Sequence, residues 1–256
     1  MSNGLYDKEI SKQQKNVAST KDMRLQMEAL LKTLNPQRGE SILDVGSGNG
    51  LLVGQIAERV GGAGKAFGID ASDAMVEMAS EQVPAASFQQ ADATKLPFED
   101  ATFDAVICSQ LMCFIADIDT ALDEVFRVLK PKGRFVILDT DWGTMVWNTK
   151  DPELLDVVMT LLKQGYHTDV LPRTLNKKLK RVGFEVRDFF AHPIVSLEPK
   201  ADSYAEQMSG FVRPLLEKHP EFPADLADRW EADREAVIAD DEYFFSINRF
   251  IFSVQK

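Results

Sequence analysis

Apolar positions along the chain fall into two rhythms. Short, nearly continuous apolar runs predict buried strands near Ile42 to Val45, Lys65 to Ile69, Ala86 to Gln90, Phe103 to Cys108, Arg134 to Asp139 and Phe184 to Phe190. Between them, apolar residues recur every three or four positions, the spacing of one helical face. Thr20 can cap a helix running to Leu34, with Met23, Met27, Leu30, Leu31 and Leu34 as its stripe. A second helix follows three closely spaced glycines and stops at Gly61-Gly62. Ser72 can cap a third, in which Met75, Val76, Met78 and Ala79 supply the apolar contacts. Asp119 to Lys130 reads as another, broken by Pro131-Lys132-Gly133. Asp151-Pro152 is an acid cap followed by a first-turn proline, and Thr174 to Val182 closes the series. Two more helices, near 201–218 and 224–239, flank His219-Pro220. The β-rich run Tyr243 to Val254 predicts a seventh strand. Strands alternating with helices imply a parallel sheet with right-handed crossovers.

Composition narrows the classes. With 256 residues, 45% of them hydrophobic, the chain can bury a core, as one domain with additions. No apolar run approaches the ~18 residues of a membrane span, and the first residues carry no basic-then-apolar leader pattern, so a membrane partner is not expected. A formal net charge of −11 argues against nucleic acid, which demands a basic surface. Cys108 and Cys113 are too few for a disulfide framework or a structural zinc site; a reducing cytoplasm fits, and no metal is expected.

The stretch Asp44-Val45-Gly46-Ser47-Gly48-Asn49-Gly50 joins the first strand to its helix. Such a turn lets a ligand touch main chain, and the helix presents free N–H groups to the same space. A dinucleotide fingerprint would place its third glycine at position 51, which is Leu51. A buried acid at a strand end suits an ammonium group better than a pyrophosphate, which it would repel. Asp70 ends the second strand, where a carboxylate can accept hydrogen bonds from both ribose hydroxyls. Asp92 ends the third run.

These residues, together with Gly68-Ile69-Asp70, Ala91-Asp92-Ala93, Phe103-Asp104-Ala105-Val106 and Leu129-Lys130-Pro131-Lys132-Gly133-Arg134, resemble the successive motifs of class I S-adenosylmethionine-dependent methyltransferases over residues 38–140. The resemblance is to the branch that methylates small molecules. It implies an α/β fold: a Rossmann-like, seven-stranded, mostly parallel sheet with helices on both faces and an antiparallel last strand. A helical cap would come from the N-terminus and from the insertion before that strand. The implied domains are a flap at 1–37, a cofactor-binding core at 38–190 plus 243–256, and a cap at 191–242 over the acceptor pocket. The cofactor implied is S-adenosyl-L-methionine, with S-adenosyl-L-homocysteine as product. Its site would use Asp44, Gly46, Ser47, Gly48, Asp70, Ala71, Met75, Asp92, Ala93, Ser109 and Gln110.

The acceptor side is less marked. Asp139, Asp141 and Trp142 lie at the end of the fifth strand, where either acid could take a proton or make loop hydrogen bonds. His167 is a third candidate base or an ordinary loop histidine. Tyr6, Arg24, Trp142 and Tyr204 are candidates for acceptor contact, with packing or solvation as the alternative for each. The activity implied is in-line methyl transfer to a small organic acceptor. Two rivals stay open: an NAD(P)-dependent oxidoreductase, and a non-catalytic regulatory protein that keeps the cofactor site. Oligomeric state has no signature in the sequence.

Overall fold

The computed structural model describes residues 16–217, 223 and 225–256. Contacts divide the chain into two compact units. The larger comprises Met27–Asp141, His167–His192 and Arg249–Lys256; the smaller comprises the residues up to Gln26 with Trp142–Tyr166 and Pro193–Asn248.

The larger unit carries the strand–helix repeat. Its elements are β1 (Ser41–Val45), α2 (Leu51–Val60), β2 (Lys65–Asp70), α3 (Asp73–Gln82), β3 (Ser87–Gln90), β4 (Phe103–Ser109), α4 (Ile118–Val128) and α6 (Pro172–Val182). Three strands, β5 (Leu129–Trp147), β6 (Glu185–Ser196) and β7 (Phe245–Gln255), have residues in both units. The helix α1 (Lys21–Leu34) also spans the boundary. The seven strands form one sheet in the order β3-β2-β1-β4-β5-β7-β6. The β1 strand pairs in parallel with β2, Asp44 opposite Gly68, and with β4, Leu43 opposite Val106. The last strand runs the other way. Lys256 N donates to Gly133 O near the start of β5, whereas beyond its end Asn148 N donates to Phe244 O, ahead of β7. Only an antiparallel β7 satisfies both bonds.

Burial follows position in the sheet. Central β1 and β4 are buried almost throughout, as parallel strands covered on both faces must be, while edge strand β3 is largely exposed. Alternate β1 residues enter different cores. Leu43 and Val45 join Leu122, Val125, Leu175 and Leu179 of α4 and α6; Ile42 joins Leu30 and Leu34 of α1 and Val53 and Ile56 of α2. Arg134 secures the end of α1, donating to Leu34 O and Asn35 O while pairing with Glu40 at 2.6 Å.

Several bounds differ from the sequence expectation. The helix expected at 119–130 starts one residue earlier, where Asp117 accepts from Thr120 N, and it ends at Val128 because Leu129 pairs with Phe103 and starts β5. That strand is 19 residues long, not the six of Arg134 to Asp139. It absorbs Pro131-Lys132-Gly133 as an irregularity, with Lys132 at φ +67°. It also continues past Asp139, which is therefore inside the strand and not at its end.

The smaller unit contains α5 (Pro152–Lys163), α7 (Tyr204–Glu217) and α8 (Leu226–Ala239). Trp142, Trp147, Leu154, Val158, Leu161, Tyr204, Met208, Trp230 and Phe245 share its core. This shared core groups α5 and the last residues of β5 with residues 193–248, so the compact unit is drawn more widely than the segment 191–242. Two helix starts in it cap each other: Asp202 accepts from Lys21 N, and Asp22 accepts from Tyr204 N. Among the described residues no helix is long and apolar enough to cross a membrane.

Candidate functional site

The carboxyl ends of β1 and β2 make one locus. Gly46, at φ +79°, turns the chain out of β1; a Cβ there would lie 2.8 Å from Leu111 Cδ2, so only glycine permits this close approach. Gly48, at φ +51°, has nothing within 4 Å of where its Cβ would be, so the crest of the turn is open. Gly46 N and Ser47 N both donate to Ile69 O at 2.8 Å, fastening the turn to β2. Asp70 completes the frame: one oxygen accepts from Gly48 N and the other from Ser72 N, each at 2.9 Å.

Beneath the turn lies Asp44, 2% exposed. Its Oδ1 and the neighbouring Ser47 Oγ are buried with no hydrogen-bond partner among the described residues. Burial, and secondarily the charge of Asp70, pushes its carboxyl up to about 8. A buried carboxylate in this state gains most from a cation, because an opposite charge offsets the desolvation that raised it. The donor set therefore fits a ligand with a positively charged nitrogen and hydroxyl groups. At β3 the locus is more open: exposed Asp92 accepts from Thr94 N and Thr94 Oγ1, both at 2.8 Å. Ala71 is exposed, and Ala93 and Met75 are half-buried.

The carboxyl end of β4 and the middle of β5 make a second locus. Asp139 is fully buried, and its oxygens accept from Thr140 N at 3.0 Å and Cys113 N at 3.1 Å. Burial raises its carboxyl to about 6, held from going higher by the Cys113 thiol, those two amides and the charge of Arg249. Burial and the same carboxylate push the Cys113 thiol up, so it is not a nucleophile. Gln110 N donates to Leu138 O at 2.8 Å, and Thr140 Oγ1 donates to Gln110 Oε1 at 2.6 Å. Asp141 is paired in bidentate fashion with Arg173, at 2.7 and 2.9 Å. His167 is exposed, but its main-chain N donates to Cys113 O, so the structure brings Asp139, Gln110 and His167 to one loop. The sequence reading missed Arg173, 32 residues from its partner, and Leu111, whose apolar side chain signals only packing.

In the smaller unit the remaining candidates are engaged. Trp142 is 2% exposed and stacks on Tyr166 at 4.7 Å between ring centroids. Tyr204 is buried beside Phe245. Arg24 pairs with Asp202 at 3.0 Å and also donates to Ser19 O. Tyr6 lies outside the described residues.

Residues 43–137 match the family model described as a methyltransferase domain. The matched segment contains the glycine turn, Asp70, Asp92 and the loop after β4. A demethylmenaquinone methyltransferase of Symbiobacterium thermophilum is 40% identical over 162 residues, covering 57% of this chain and 63% of the relative. An uncharacterized 37.1 kDa transposon protein of Streptomyces fradiae is 32% identical over 205 residues, covering 77% and 57%. The chain thus spans little more than half of the curated relatives it matches. A solved phosphoethanolamine N-methyltransferase 2 of Haemonchus contortus, in complex with S-adenosyl-L-methionine, superposes with a TM-score of 0.63 at 22% identity, over 99% of this chain and 58% of that one. At that identity the likeness shows the fold alone.

Proposed function

We propose that the protein is an S-adenosylmethionine-dependent methyltransferase acting on a small organic molecule. One observation carries the reading: the buried, unpartnered Asp44 oxygen beneath an open glycine turn. In this reading Asp44 and Ser47 hold the methionine ammonium, with Gly46 and Gly48 letting main chain approach the methionine portion. Asp70 keeps lone pairs for the ribose hydroxyls after accepting its two amides. Asp92 and Ala93 read the adenine edge, with Ala71 and Met75 beside it. Ser109 and Gln110 border the same space from β4.

When bound, the cofactor supplies a methyl carbon already activated by a sulfonium. The chain's task is to orient an acceptor lone pair in line with the carbon–sulfur bond, and alignment can lower a barrier by roughly 7–11 kcal/mol. A base is needed only for an acceptor that must lose a proton. Asp139 and Asp141 already spend their carboxylates on amides and on Arg173. Exposed His167 remains the freer candidate.

The name of the Symbiobacterium relative supports a small organic acceptor, and the net charge of −11 agrees in disfavouring nucleic acid. Two buried free thiols are compatible with a cytoplasmic setting. The test is transfer of label from methyl-labelled S-adenosylmethionine to a metabolite extract, with calorimetry against S-adenosylhomocysteine. We expect binding and one labelled product. Binding without turnover would favour a regulatory role. Binding of reduced dinucleotide instead would turn the reading to an oxidoreductase.

A further inference from the structure

The loop after β4 presses on the glycine turn. Leu111 packs so closely on Gly46 that three of its side-chain atoms lie within 3.1 Å of where a Cβ would be. The residue before it, Gln110, stands at φ +55°, a left-handed conformation that non-glycine residues seldom adopt and that must be imposed by surrounding contacts. Those contacts are visible. Gln110 N is fixed to Leu138 O, and its side-chain oxygen takes the Thr140 hydroxyl at 2.6 Å. On either side of Leu111, then, the loop is bound to β5: at Gln110 through Thr140, and at Cys113 through Asp139 Oδ2. Asp139 Oδ1 also accepts Thr140 N, so one fully buried carboxylate ties the loop to the strand that holds Gln110.

We propose that Asp139 is a positioning residue: through the loop 110–113 it seats Leu111 against the glycine turn, and so sets the cofactor-binding shape of that turn. The inference rests on the cofactor reading above. It removes Asp139 from the roster of bases, since both oxygens are occupied by amides and neither reaches solvent. The groups facing it are Cys108 of β4, Cys113 of the loop and Arg249 of β7. None offers a route for a proton to an acceptor.

The experiment is calorimetry of S-adenosylhomocysteine binding to four proteins: wild type, Asp139→Asn, Gln110→Gly and the double variant. An asparagine keeps one accepting oxygen and presents an N–H group at the other position, so it cannot accept from both Cys113 N and Thr140 N, and the link between loop and strand breaks on one side. We expect about tenfold weaker binding for Asp139→Asn than for wild type, with Gln110→Gly as the reference for the double variant because Gln110 itself borders the cofactor space. Glycine holds φ +55° without help, so in that background Asp139→Asn should cost little further affinity. A role confined to general stability predicts no such sparing, because an added glycine loosens the loop further. Thr140→Val removes only the Gln110 bond, and should weaken binding a few-fold even if Asp139→Asn folds poorly. Wild-type affinity in both Asp139→Asn and Thr140→Val overturns the proposal alone. An undiminished tenfold loss when Asp139→Asn is added to Gln110→Gly does the same. A wild type that binds no S-adenosylhomocysteine overturns the cofactor reading, and this inference with it.

Discussion

The end of β1 and the middle of β5 both carry buried aspartates, yet the two places differ in what those carboxylates lack. Asp139 and Asp141 are partnered on both oxygens: amides take one, a guanidinium the other. Asp44 keeps an oxygen with no partner among the described residues and sits under an open turn. Burial of an acid is therefore a poor marker of a ligand site on its own. The informative combination is burial without a partner, next to space. An acid partnered on both oxygens organises protein; one left with a bare oxygen costs stability until something arrives to complement it.

The sharpest way to break this contrast is Asp44→Asn. Loss of a buried charge-assisted hydrogen bond should weaken S-adenosylhomocysteine binding about 100-fold at pH 8 by calorimetry. The same change should stabilise the ligand-free protein. With its carboxyl at about 8 in the fold and near 3.8 when unfolded, Asp44 binds more protons in the native state between those values. Its contribution is thus fully present below pH ~4 and is lost as pH rises through about 8. Removing it should raise Tm on the order of 5 °C at pH 8 and hardly at all at pH 4. A variant that loses both affinity and stability would show that Asp44 is structural, like Asp139.

The pH dependence of binding refines the point. Wild-type affinity should climb between pH 6.5 and 8, approaching tenfold per unit, because the ammonium requires the ionised carboxylate. In Asp44→Asn that climb should vanish. A smaller effect belongs to Asp141→Asn, which breaks the pair with Arg173. Since that arginine is 54% exposed and can be rehydrated, the cost should be about 1 kcal/mol in urea unfolding, with cofactor affinity unchanged. The smallest is Arg24→Ala: both members of its pair are more than half exposed, so the loss should stay below ~0.5 kcal/mol. A clear rise in acceptor KM in that variant would instead return Arg24 to the acceptor site.

What could be read in advance follows the range of the interactions. The β1 end is local: an apolar run, an acid and closely spaced glycines lie within nine residues, and each leaves a signature. The β5 locus is built from distant and anonymous partners. Cys113 N and Thr140 N are main-chain donors, which no residue identity announces, and the left-handed Gln110 carries no glycine to mark it. The same limit hid the length of β5. Its pairing of Leu129 with Phe103 overrides the helical spacing that predicts a helix through Lys130. Beyond Asp141 its residues join a core of Trp147, Trp230 and Phe245, whose members are far apart in sequence. The strand–helix alternation of the larger unit was legible because each layer repeats the one before it.

The placement of β7 bears on how the chain acquires its shape. Residues 245–255 lie between β5 and β6, so those two strands have no direct edge in common. Throughout synthesis β6 must wait beside an empty slot until the segment that fills it has left the ribosome. Such a sheet closes late and slowly, with exposed strand edges in the interval that favour aggregation or chaperone capture.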